Sequence, residues 1–131
     1  MTLSQQQGAL SNFVANWNES NTGATGVAAT VTHAAESGLS HYICGCVVGV
    51  SDYASANPDS VVITIQDDSS DIIVFPVTSS GTDDYDPTGQ PVVINFANPL
   101  KITSGNSVTI KTGSIGSYST AYVNLWGFTD L

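Results

Sequence analysis

The chain has 131 residues, enough for one domain with an ordinary buried core. Its charge is lopsided: 11 Asp and Glu stand against two lysines, Lys101 and Lys111, with no arginine, for a net charge of −9. A protein that grips a duplex neutralises several phosphates with Lys and Arg, so nucleic acid is excluded as a partner, as is an anionic membrane surface, and no apolar run reaches the ~20 residues that span a bilayer.

Residues 1–26 are rich in Gln, Ser, Asn, Thr and Gly. The opening MTLSQQQGALSNF has neither a basic residue nor an apolar block, and does not read as a secretory signal. Leu10, Phe13, Val14 and Trp17 recur at helical spacing and predict one or two weak turns. Residues 18–26 (NESNTGATG) read as a linker. The segment is expected to be an extended arm. Its anchors, Leu3, Leu10, Phe13, Val14 and Trp17, need a surface to pack on, either the chain's own body or a neighbour.

From Val27 onward the period is two. Residues 27–33 alternate small and β-branched side chains. In residues 40–50, Tyr42, Cys44, Cys46, Val48 and Val50 fall on one face and Ile43, Gly45, Val47 and Gly49 on the other. The glycines there signal a bulge or the close approach of another backbone. Val61, Ile63 and Ile65 share a face, with Val62 and Thr64 opposite. Residues 71–78 form a strand that Pro76 assigns to an edge or a bulge. Residues 92–96 follow, continued by 101–103 after Pro99. Val108 and Ile110 point inward from 107–112. In residues 121–128, Tyr122, Asn124, Trp126 and Phe128 lie on one face, Val123 and Leu125 on the other. Polar turns separate these runs, among them ESG (36–38), NPD (57–59), DDSS (67–70), DPTG (86–89) and SGN (104–106). Seven or eight short strands without a helical period predict an all-β fold over residues 27–131. It is an antiparallel β-sandwich with a jelly roll as the leading topology. An immunoglobulin-like sandwich ranks second, since its Cys…Trp…Cys signature is missing.

Candidate sites follow from residue chemistry. Cys44 and Cys46, two apart in a strand, are badly placed for a mutual disulfide and read as small buried hydrophobes in a reducing compartment. His33 and His41 flank a turn that carries Glu36. Two imidazoles and a carboxylate suit a divalent metal, but the spacing matches no short motif, and a polar cross-strand pair at a strand end is the simpler reading. Asp83, Asp84 and Asp86 are the better calcium candidates of two acidic clusters, the other being Asp67, Asp68 and Asp71. Neither follows the EF-hand spacing, and Asp in turns ordinarily bonds nearby backbone N–H groups. No metal or other cofactor is assigned. There is no nucleophile elbow, zinc-protease motif or phosphate loop, so the chain does not read as an enzyme. Tyr122, Trp126 and Phe128, with Tyr118 nearby, are core by burial preference. A subunit interface or a sugar platform is the alternative.

The stretches TVTHAAESGLSHYICG (30–45), NPLKITSGNSVTI (98–110) and VNLWGFT (123–129) resemble small virion proteins of tailed bacteriophages. The likeness is to jelly-roll capsid decoration, or cement, proteins and to related fibre-head domains, over roughly residues 27–131. These motifs are strand-and-turn patterns, and the family carries over no catalytic residue. The resemblance implies a homotrimer seated on the major capsid protein at capsomer junctions, with the N-terminal segment reaching onto the shell or a neighbour. Assembly would take place in the host cytoplasm, and the protein would end on the capsid surface of the virion. On this reading, removal of residues 1–20 leaves the body folded and abolishes shell binding. The rival reading is a receptor-binding or fibre-head adhesion module of a phage tail.

Overall fold

The computed structural model describes residues 15–52, 60–78 and 91–130. Among them there is no helix, and hence none long and apolar enough to cross a membrane. Eight strands follow in chain order: β1 (Trp17–Thr22), β2 (Thr30–His33), β3 (Ser40–Asp52), β4 (Ser60–Asp67), β5 (Ser70–Thr78), β6 (Val92–Lys101), β7 (Val108–Thr112) and β8 (Ser119–Asp130). They form two four-stranded antiparallel sheets, ordered β1-β8-β3-β6 and β2-β7-β4-β5. The expected all-β sandwich is thus present.

The wiring follows one rule. β4 pairs with β5, β3 with β6, β2 with β7 and β1 with β8. The chain runs out through four strands and returns along the same path, while successive strands switch sheets at β1–β2, β2–β3 and β3–β4. The longest ladder joins β3 to β8, from Ser40↔Asp130 to Asp52↔Ser119.

Alternation decides which side chains enter the core. Val61, Ile63 and Ile65 of β4, Val108 and Ile110 of β7 and Ala121, Val123 and Leu125 of β8 share one core between the two layers, and all eight are buried. Each fully buried Val, Leu or Ile contributes about 1.5–3 kcal/mol. Pro76 sits in β5, at the edge of its sheet, where its missing N–H faces no further strand. Pro99 is accommodated in the same way in β6, the edge of the other sheet. β6 runs unbroken where two segments were expected, but its register jumps from Leu100 to Asn95 as β3 passes from Ile43 to Gly45.

At the same point β3 carries one extra residue, Cys44, against β8, a bulge between Ile43↔Gly127 and Gly45↔Trp126. The extra residue reverses the pleat. Before it, His41 and Ile43 point inward; after it, Cys46, Val48 and Val50 do. Strict alternation places Tyr42 with Cys46 and Val48, and the bulge overturns this. Both cysteines are buried, and neither is in a disulfide among the described residues.

The larger correction lies at the N-terminal end. Trp17–Thr22 is neither helical turn nor linker but strand β1, paired with β8 from Trp17↔Gly127 to Thr22↔Tyr122. The hydrogen bonds Asn16 N–H to Gly127 O, 2.8 Å, and Gly23 N–H to Ala121 O, 2.9 Å, extend this seam at both ends. A strand of the sandwich therefore precedes residue 27, and residues 1–20 do not form one detachable arm. Leu3, Leu10, Phe13 and Val14 lie outside the described residues, as do Asp83, Asp84 and Asp86.

Candidate functional site

Two strand ends and a crossing loop build the one concentration of chemistry-bearing side chains found among the described residues. His33 ends β2 and His41 is the second residue of β3. The two strands belong to different sheets, so the imidazoles meet at one end of the sandwich instead of across a hairpin. Their ring centroids are 4.5 Å apart, edge to face. Glu36 stands on the connecting loop, which is tightened by Leu39 N–H donating to Glu36 O.

His41 is wholly buried and doubly bonded. Its Nε2 lies 2.7 Å from Ala34 O and its Nδ1 2.7 Å from Thr129 Oγ1. A carbonyl oxygen only accepts, so Nε2–H donates to it, while the Thr129 hydroxyl can give or take the bond at Nδ1.

His33 differs. Its Nδ1 is 2.9 Å from Glu19 Oε1, and because a carboxylate only accepts, Nδ1 carries the proton. In the neutral tautomer this leaves the lone pair on Nε2. That atom is buried and has no hydrogen-bond partner among the described residues. Glu36 Oε1 is 3.9 Å from it, beyond hydrogen-bond range. One ligand atom from each of His33, Glu36 and His41 fits within a mutual spread of 4.8 Å.

β1 supplies the rest of the setting. Trp17 and Glu19 are two apart and so share a face. Trp17 stacks flat on His33, with ring centroids 4.3 Å apart, and meets His41 edge-on at 6.0 Å. The indole fits only because residue 127 is glycine: a Cβ there would lie 2.5 Å from Trp17 and would also strike Tyr42 O. Trp17, expected to anchor an arm, is thus packed on its own chain. Sequence reasoning paired the two histidines with Glu36 but missed Glu19 and Thr129. The i, i+2 spacing of Trp17 and Glu19 was the signal available for β1.

The other expected residues separate. Tyr122, Trp126 and Phe128 share a face of β8, but it is the outer face of the sheet and not the core. Phe128 stacks on Tyr42 at 4.8 Å, and Trp126 lies over Gly45, whose missing side chain leaves it room. Tyr122 borders a depression of about 300 Å³ with Thr22, Gly49 and Pro91. Tyr118 stands apart, exposed in the turn before β8. In the acidic cluster of the β4–β5 turn, Asp67 accepts bonds from Thr103 N–H, Thr103 Oγ1 and Asn106 Nδ2 at 2.7–2.9 Å. Asp71 accepts from Gln66 Nε2 at 2.7 Å. These carboxylates pin loops. Burial pushes the Asp67 carboxyl up, but its three hydrogen bonds outweigh that and hold it below the ordinary value.

Comparison with protein-family models, curated proteins and solved structures gave no match to this chain.

Proposed function

We propose that the protein is a structural component of a bacteriophage virion that decorates and stabilises the capsid, binding the major capsid protein at capsomer junctions as a homotrimer. The pairing rule of the eight strands supports a jelly-roll reading, a scaffold that recurs in capsid and lectin domains. The observation that carries the functional reading is the outer face of the β1-β8-β3-β6 sheet. Down it run the Tyr42–Phe128 stack, Trp126, Val47 and Tyr122, with Val93 beside them 55 % exposed. Large apolar side chains standing together outside a core mark a surface made for another protein. Closed symmetric association is the ordinary way to cover such a face.

Light scattering on the purified protein tests the assembly, with a trimer expected. Val93→Ser combined with Tyr122→Ser is expected to yield a folded monomer. Density for this protein spread over the shell of the virion tests the role, and its confinement to the tail would reject it. That second location would fit an adhesion module, for which the depression beside Tyr122 has the size of a small ligand site. Binding to a glycan array, lost in Tyr122→Ala, checks the adhesion reading.

A further inference from the structure

The geometry points to a divalent transition-metal site, zinc by its donor chemistry, formed by His33, Glu36 and His41 at the junction of the two sheets. The case starts with His33. A ligating histidine characteristically donates its other ring N–H to a carboxylate, which fixes the tautomer and makes the free nitrogen more basic. The Glu19–His33 bond does this, at 2.9 Å. The nitrogen it leaves free is buried and unbonded among the described residues, with the Glu36 carboxylate 3.9 Å away. An imidazole held only for its hydrogen bonds has no use for that arrangement, whereas a ligand does.

Glu36 comes next. Two donors bound at 2.0–2.2 Å to one tetrahedral ion are about 3.4 Å apart. Glu36 Oε1 and His33 Nε2 stand at 3.9 Å, too far for a hydrogen bond and close to that separation. Glu36 is on an exposed loop, so a small rotation closes the difference, and the loop side gives the ion its way in.

His41 completes the set by exchanging tautomers. Its Nε2–H is now given to Ala34 O. The Thr129 hydroxyl at Nδ1 both donates and accepts. Moving the ring proton from Nε2 to Nδ1 turns that bond around and bares the Nε2 lone pair, and the Ala34 carbonyl, which stands in its direction at 2.7 Å, must swing aside to admit the ion. The exchange moves a proton between ring nitrogens and releases none. Three protein donors leave a fourth position for water. Two nitrogens and one carboxylate select zinc or its transition-metal neighbours over calcium and magnesium, which favour all-oxygen shells. The bound ion would join β2 to β3, and so one sheet to the other.

The test uses the full-length protein after treatment with a chelator. Zn²⁺ titrated calorimetrically is expected to bind one ion per chain at micromolar concentration or below, with Ca²⁺ and Mg²⁺ silent. Cu²⁺ is expected to quench the fluorescence of Trp17 in a Trp126→Phe background, because the indole stacks on a ligand. Glu36→Gln, on the exposed loop, and His33→Gln should each abolish saturable zinc binding. Glu19→Ala, which removes only the orienting partner, should weaken it 10–100-fold. Circular dichroism establishes that each variant is folded, and Glu36→Gln decides the matter if His33→Gln is not. Absence of one-to-one binding by the native chain, or equal binding by Glu36→Gln, overturns the site.

Discussion

The indole of Trp17 lies flat against the imidazole of His33, their planes 12° apart, and so ties the first strand of one sheet to the end of a strand in the other. Near this end of the sandwich the two layers meet through aromatic and polar groups more than through aliphatic ones. Glu19 adds a second tie to the same ring.

Truncating the indole should therefore destabilise the fold. Trp17→Ala is expected to cost about 3 kcal/mol, the low end for a large aromatic because Trp17 is only half-buried. Urea unfolding measures it. A loss under 1 kcal/mol would mean that the stack adds little to stability.

Deletions separate β1 from what precedes it. Removing residues 1–14 retains β1 and its pairing with β8. Removing residues 1–22 strips the partner from Tyr122 to Gly127 of β8 and exposes an unpaired strand edge. The expected result is a lower Tm and association on heating, read by scanning calorimetry and light scattering.

Gly127→Ala puts a methyl group where Tyr42 O and the Trp17 ring already stand. The indole cannot retreat without disturbing the β1–β8 seam, nor Tyr42 O without disturbing the β3–β8 ladder. A loss of about 3 kcal/mol is expected in chemical denaturation. Gly38→Ala makes a useful contrast, since a Cβ at residue 38 meets nothing within 4 Å and only its positive φ of 78° is penalised.

Asp67 should give the stability a dependence on acid. Its folded pKa lies below the ordinary value of 3.8, so its contribution is complete above that value and fades as pH falls through the lower, folded one. Asp67→Asn cannot accept all three bonds and is expected to lose about 1–2 kcal/mol at neutral pH. Its Tm should also fall less steeply than that of the native chain below about pH 4. Parallel melting series across pH 2–6 check both.

The Cys46 thiol is pushed up to about 11 by burial. At pH 8 its reactive thiolate is then a fraction of about one in a thousand. Native protein should leave Cys46 unlabelled by a disulfide reagent over minutes, and denatured protein should label at once. Prompt labelling of the native chain would show that β3 opens at its bulge.

The body of the fold was legible wherever alternation went undisturbed. β4 and β7 follow directly from Val61, Ile63, Ile65, Val108 and Ile110, whereas burial preference turned the aromatic face of β8 inward and the structure buries Val123 and Leu125 instead. Pro76 announced the edge. β3 misled because a bulge adds a residue without leaving a hydrophobic mark, although Gly45 beside it was a hint. β1 was illegible because WNESNT has only Trp17 and Glu19 to turn inward, and its partners lie about a hundred residues away in β8. The histidine cluster was half visible for the same reason. Glu36 is a chain neighbour of both rings, whereas Glu19 is 14 residues from His33 and Thr129 is 88 from His41.

The out-and-back wiring also dictates an order of events as the chain folds. Its innermost pair, β4 and β5, is joined by a two-residue turn, while closing β1 on β8 must bring together residues as distant as Trp17 and Gly127. Contacts of such long reach form slowly, so the molecule should zip from its middle toward its ends in milliseconds to seconds. Pulse-labelling of amide hydrogens during refolding would then find the middle protected first, and the strand bearing Trp17 would be the last to seat.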